Sequence, residues 1–199
     1  MLESNTISVV QEALSCQRCA AQLPHAPKPI IQIGAGARIL IIGQAPGARA
    51  HASGIPWDDA SGDLLRAWLD VDCETFYDSD TFAILPMGFC YPGRGKSGDL
   101  PPIPECANHW HDRIRAELKQ VCLTLLIGGY AQKQYMDTSY NTLTEAVQQW
   151  HQFMPKYFPL PHPSPRNRPW QAKNPWFVKE VIPELRLAVK HALSVNRNK

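Results

Sequence analysis

Residues 38–43 read RILIIG, four apolar positions of which three are isoleucine, set between an arginine and a glycine. A short run with no polar alternation reads as a strand buried on both faces, the type found in parallel sheets. Residues 82–87 (FAILPM) and 123–128 (LTLLIG) share that character, and 156–160 (KYFPL) form a shorter fourth run. Helix-like stretches lie between and after them, at 61–69, 107–121, 129–136 and 142–153. A closing helix is expected over 174–195, started late or kinked by Pro183. The order strand, helix, strand, helix predicts an α/β protein: a three-layer α/β/α sandwich with a central four-stranded parallel sheet. Right-handed crossovers put helices on both faces of such a sheet.

The chain has 199 residues, 44% hydrophobic, enough for one sizeable core and a single domain over 1–199. Residues 1–37 form an N-terminal arm ahead of the first strand. Twenty Lys+Arg against 18 Asp+Glu give a net charge of +2, so any surface for a polyanion must be local. No apolar run reaches the roughly 18 residues needed to span a bilayer, and residues 1–10 lack the basic start and apolar centre of a signal peptide. A cytoplasmic monomer that does not engage membranes is expected. Repeats and low-complexity tracts are absent from the sequence.

Ligands bind at the carboxyl ends of the strands in such sheets. That directs attention to the loops 44–63, 88–106 and 161–175, which hold most of the 18 prolines and are long for connections in a compact domain. In the last loop His162 stands between Pro161 and Pro163, which restrict its backbone and fix where the imidazole points. Oxyanion stabilisation suits a rigid histidine; capping a turn is the plainer alternative. Ser164, Pro165, Arg166 and Asn167 supply a hydroxyl, a stiff apolar wedge, a guanidinium and an amide, the mixture expected where a protein grips phosphate and pries at a base stack. Arg168, Lys173 and Lys179 add a local basic surface or a solvated helix face. Gln44 and the turn 43–47 offer an amide and backbone N–H groups, and Gly47 permits close approach of a ligand or simply makes the turn.

Six cysteines in a cytosolic chain suggest metal ligands or buried thiols rather than disulfides. Cys16 and Cys19 form a C-x-x-C pair, and Cys90 and Cys106 bracket a Pro/Gly-rich loop. If the arm docks beside that loop, four thiolates meet, as an iron–sulfur cluster or tetrahedral zinc requires. A redox pair plus scattered buried cysteines is the competing reading. Cys73 and Cys122 are expected to be free thiols, Cys122 behaving as a small hydrophobe.

These residues carry a resemblance. GQAPG at 43–47, SGIPWDDASG at 53–62 and HPSPRN at 162–167 resemble the signature loops of the uracil-DNA glycosylase superfamily. Cys16, Cys19, Cys90 and Cys106 are similar, in order and approximate distance, to the [4Fe-4S] ligand set of the family 4 and 5 enzymes, whereas HPSPRN looks like the loop of the single-strand-selective branch. The resemblance covers residue 16 to roughly residue 190 and implies a cluster-bearing DNA glycosylase. Such an enzyme flips a deaminated base, uracil first, out of DNA and hydrolyses its N-glycosidic bond in base-excision repair. Zinc is the alternative metal. By this resemblance His162 is the donor to the base oxygen, Trp57 the plate that stacks on the base, Gln44 a base or water contact, and Gly43, Ala45 and Gly47 the turn beneath it. Ser164–Arg168 would contact DNA. Trp57 has a second reading as a core or lid aromatic.

The sequence departs from the family pattern twice. No acidic or amide residue stands at Ala45, and gapless matching from Gly43 to Gly62 puts Ala50 where a glutamate is usual. Substitutes for activating water are His51, Asp58, Asp59 and Asp63, with His51 ranked first. The usual asparagine of the second strand is also missing, leaving backbone groups of Met87, Gly88 and Phe89 to read the base edge. These departures keep a second function class open: a non-catalytic or covalently trapping damaged-DNA-binding protein, using His51. A nucleotide or RNA base hydrolase is a third.

Overall fold

The computed structural model describes residues 4–136 and 140–194. Its four strands, β1 (Ile39–Ile42), β2 (Phe82–Ile84), β3 (Leu123–Ile127) and β4 (Tyr157–Leu160), form one sheet in the order β2-β1-β3-β4, parallel throughout. Each is the centre of an expected run. β2 ends short of Pro86, which has no N–H to donate, although Leu85 and Met87 still bond the carbonyls of Ile41 and Gly43.

The helices are α1 (Ser4–Leu14), α2 (Ala48–Ser53), α3 (Ala60–Leu69), α4 (Cys73–Tyr77), α5 (Pro104–Arg115), α6 (Gly129–Tyr135), α7 (Leu143–Gln148), α8 (Arg168–Lys173) and α9 (Ile182–Ser194). α1, α2, α4 and α8 fall in stretches read as arm and loops. α5 begins earlier than the expected 107, because Pro104 occupies the first helical turn, where its missing N–H costs nothing, and it stops at Arg115 rather than 121. The expected helix 142–153 divides into α7, capped by Thr142, and a 3-10 turn over Trp150–Phe153. The stretch 174–195 begins with a π turn over Phe177–Val181, and Pro183 sits in the first turn of α9 directly after it.

Alternate strand residues feed two separate cores. Ile39 and Ile41 of β1, Phe82 and Ile84 of β2, and Leu125 and Ile127 of β3 pack with Leu65, Trp68 and Leu69 of α3 and Leu185 and Val189 of α9. Leu40, Ile42, Ala83 and Leu126 pack on the other face with Ala13 of α1, Ala107, Trp110 and Ile114 of α5 and Ala131 of α6. With both faces covered, each fully buried Ile or Leu contributes roughly 1.5–3 kcal/mol. The arm runs antiparallel beside β2: Gln32 exchanges hydrogen bonds with Ile84 at 3.0 and 2.7 Å, and Ile30 N–H donates to the Phe89 carbonyl at 2.8 Å. That contact covers a sheet edge which would otherwise present unpaired backbone. No helix among the described residues is long and apolar enough to cross a membrane.

Candidate active site

A cavity of about 250 Å³ opens at the carboxyl ends of the strands. Gly43, Gln44, Ala45 and Gly47 line it from the turn after β1, Trp57 and Asp59 from the loop before α3, Pro86 from the end of β2, Asp99 from the loop 88–106, and His162, Ser164 and Arg166 from the loop after β4. All three loops singled out by the topology therefore meet at one place.

Trp57 adopts φ 57°, left-handed backbone that a bulky side chain rarely takes. Its neighbours explain how this is held. A Cβ at Gly62 would lie 1.8 Å from the Trp57 carbonyl oxygen, and a Cβ at Gly43 would lie 2.9 Å from the indole Cζ2. Both positions must stay bare for the indole to lie against the β1 turn. The ring is half-buried, packs against the core and lies beside the imidazole of His162 with centroids 5.5 Å apart and planes at 32°.

His162 follows β4, which is not adjacent to β1, and its Cβ lies beside Gly128, whose φ of +82° suits glycine. Gly128 N–H donates to the Leu160 carbonyl, and Asn167 Nδ2 donates to the His162 carbonyl at 2.8 Å, so the backbone that carries the imidazole is fixed at both points. Asn167 thus spends one amide hydrogen on the backbone of its own loop. Burial lowers the His162 pKa, against the opposing pull of the Asp59 and Asp99 carboxylates. A neutral imidazole carries one N–H for donation.

Asp59 starts α3 by accepting the N–H groups of Ser61 and Gly62 on Oδ1, at 2.9 and 3.0 Å. Its Oδ2 faces Gly47, 3.7 Å from where a Cβ would stand, and Asp99 Oδ2 approaches the same point to 3.5 Å. His51, ranked ahead of Asp59 on sequence, does not line the cavity. One turn of α2 separates it: its ring stacks on His25 at 5.2 Å and lies 5.7 Å from Tyr91, while Lys28 Nζ caps its carbonyl at 2.6 Å. Burial, His25 and Lys28 lower its pKa. Asp63 is drawn away into an ion pair with Arg66 at 2.6 Å, and Asp58 is not among the cavity residues.

The backbone donors of 87–89 are also spoken for. Met87 N–H donates to the Gly43 carbonyl, Gly88 N–H to the Gln44 carbonyl and Phe89 N–H to Cys106 Sγ, so none is free to read a base edge as expected. Gln44 lines the cavity, and one N–H of its amide is tied to the Leu100 carbonyl at 3.1 Å, which fixes the side chain. Ser164 caps the short turn Pro165–Asn167 through Arg166 N–H, Pro165 and Arg168 are exposed, and Arg166 Nη1 lies 3.5 Å from the Ser97 carbonyl. Asp99 escaped the sequence reading. The signal available was that it is one of only two carboxylates in the loop 88–106, the other being Glu105 beside Cys106.

Cys16, at the end of α1, Cys19, Cys90 and Cys106 of α5 line a single recess with Leu23, Pro27, Pro29, Phe89 and Ile103. Burial pushes the thiols of Cys19 and Cys90 up and that of Cys106 to about 12, and each of the three is raised further by neighbouring cysteines of the set. Backbone N–H groups of Phe89 and Lys28 point at the sulfurs of Cys106 and Cys90, donors that favour thiolate. Among the described residues no three His, Cys, Asp or Glu side chains are disposed to hold a single metal ion. Cys73 and Cys122 lie outside the recess; both are exposed, so Cys122 is not the buried hydrophobe expected.

The four-stranded parallel sheet with helices on both faces makes this a three-layer α/β/α protein, with a cavity lined by an indole and an imidazole at the carboxyl ends of its strands. The family model of the Uracil DNA glycosylase superfamily matches residues 31–186, and the chain belongs to that superfamily. Proteins of this family act on DNA.

Proposed function

We propose that the protein is a monofunctional DNA glycosylase that flips a deaminated base, uracil first, into the cavity that Trp57 and His162 line and hydrolyses its N-glycosidic bond. The observation that carries this reading is an indole and an imidazole in ring contact at 5.5 Å on the wall of a cavity of about 250 Å³ at the carboxyl ends of the strands. Flipping is required because the bond is inaccessible within the stack. The transition state is an oxocarbenium-like sugar with a departing base anion. His162, kept neutral by burial, donates to the base oxygen as charge develops there. Trp57 offers the base a π-face, Asp59 rather than His51 supplies a carboxylate on the cavity wall, and Arg166 with exposed Arg168 holds phosphate. The recess of Cys16, Cys19, Cys90 and Cys106 fits a [4Fe-4S] cluster by its donor set, with zinc as the alternative. Such a cluster would serve as a structural staple between the arm and the loop 88–106.

The test is release of free base from oligonucleotides containing uracil, hypoxanthine or xanthine, followed by chromatography of the products. Free uracil is expected. DNA binding without release of any base would establish instead the binding-only class.

A further inference from the structure

We propose that Asp99 is a catalytic residue: with Asp59 it holds the attacking water over Gly47, and it takes that water's proton. The proposal rests on the glycosylase reading and extends it to a residue of the loop between Cys90 and Cys106. That loop folds back on itself through Gly95 N–H to the Gly98 carbonyl at 2.7 Å, an antiparallel bridge of Arg94 with Asp99, and Leu100 N–H to the Gly93 carbonyl at 2.9 Å. Two cavity residues clasp it from outside: Gln44 Nε2 on the Leu100 carbonyl at 3.1 Å, and Arg166 Nη1 near the Ser97 carbonyl at 3.5 Å. Asp99 is thereby carried onto the cavity wall by a tethered hairpin.

Gly47 marks the place of the water. Its φ of −79° and ψ of 175° are open to any residue, so the backbone does not demand glycine there. A Cβ at this position would meet nothing closer than Asp99 Oδ2 at 3.5 Å and Asp59 Oδ2 at 3.7 Å. What glycine provides is open space in front of two carboxylate oxygens: a methyl here would touch both at van der Waals distance, and without it the space between them is left to a water. Their roles differ. Asp59 Oδ1 already accepts two backbone N–H bonds, which fix that carboxylate in place, whereas the Asp99 carboxylate makes no hydrogen bond or ion pair among the described residues. Asp59 is therefore the orienting group, and Asp99, with both oxygens uncommitted, is the group left to take the proton. The water oxygen forms a bond to the sugar C1′ as the C1′–N bond breaks. The bonding pair leaves with the base, whose oxygen accepts the His162 N–H, and the water proton passes to Asp99. Asp99 then releases it to solvent, and the departed base anion takes a proton from solvent.

The experiment measures single-turnover base release, affinity for the same oligonucleotide and thermal unfolding in the parent, Asp99→Asn, Asp59→Asn, Gly47→Ala and Asp99→Ala. Asp99→Asn should lose about 10²-fold or more in rate, as expected for a lost general base, with affinity and unfolding temperature kept. The parent's loss of rate in acid should vanish in this variant, and added formate should restore Asp99→Ala. Gly47→Ala should fold as the parent does yet lose rate, since its methyl, in contact with both carboxylate oxygens, crowds the water out from between them. Parent-like rate and acid limb in Asp99→Asn would overturn the proposal while leaving the glycosylase reading intact, as would full activity of Gly47→Ala or an acid limb abolished only by Asp59→Asn. A parent that releases no base from any oligonucleotide overturns both.

Discussion

The indole of Trp57 and the imidazole of His162 face each other at 5.5 Å although their backbones belong to the loop before α3 and the end of β4. A base entering between loop and sheet touches a stacking surface and a hydrogen-bond donor at once. The donor acts where charge develops, so His162→Ala should lower base release by about 10²–10³-fold with substrate affinity nearly kept. Single-turnover kinetics beside a binding isotherm checks this, and equal rates would make His162 a structural residue.

Trp57 acts on binding. Trp57→Ala should weaken affinity for the damaged strand by roughly 1–3 kcal/mol, the range for a lost base–aromatic stack. Gly43→Ala should do the same by displacement, because the new methyl would lie 2.9 Å from the indole. Fluorescence anisotropy with a damaged oligonucleotide reads both; unchanged affinities would return Trp57 to the core.

The cysteine recess predicts colour. Anaerobically purified protein should be brown, with about four irons per chain, the composition of a [4Fe-4S] cluster. Cys106→Ala should remove the colour. Colourless protein carrying one zinc would keep the ligand set and discard the cluster.

Arg166 and Arg168 should set the salt dependence of DNA binding, because a chain at +2 has no global field for a polyanion. Replacing both with Ala should lower affinity for matched and damaged DNA alike and reduce the log–log salt slope by about 2, near one per phosphate contact. Arg168→Ala alone should give about half that change without loosening the loop that Arg166 clasps. A parental slope in the double variant would move the DNA contact elsewhere.

A buried histidine behind the cavity gives a pH prediction. His111 Nε2–H donates to the Pro86 carbonyl at 3.0 Å, which leaves Nδ1 to accept the Tyr135 hydroxyl at 2.5 Å. Burial pushes the His111 pKa from the ordinary 6.5 to about 4, and that of Tyr135 up to about 12. Between those two histidine values the unfolded chain binds a proton that the folded chain refuses, so stability rises with pH across this window and is lost on acidification. This residue accounts for up to about 3 kcal/mol of that loss. Urea unfolding from pH 7 to pH 4 should show a steeper decline in the parent than in His111→Gln; parallel declines would mean that His111 is protonated in the folded state.

The parallel sheet was legible because burial on both faces leaves unbroken apolar runs, and RILIIG, FAILPM and LTLLIG are such runs. Helix ends were less so. α5 starts at Pro104 and stops at Arg115, and 142–153 breaks after Gln148, through capping and packing that periodicity does not carry. At the site, the prolines around His162 and the position of Trp57 after the β1 turn marked two residues that the fold brings face to face. His51 looked equivalent to Asp59 because both follow the same turn, and only the intervening turn of α2 separates them in space.

Composition and local pattern thus determined, by themselves, the layered architecture and the strand ends at which a ligand must bind, since each follows from which residues a strand or turn can bury; that four cysteines share a recess came from the family resemblance and from the docking of the arm. Tertiary structure alone decided which polar groups remain unspent at the cavity. The Met87, Gly88 and Phe89 N–H groups and one N–H of the Gln44 amide go to partners distant in sequence, whereas one oxygen of Asp59 and the carboxylate of Asp99 are left facing Gly47. A hydrogen-bonding group serves one partner well, and which partner reaches it first depends on how the loops after three strands fold over one another.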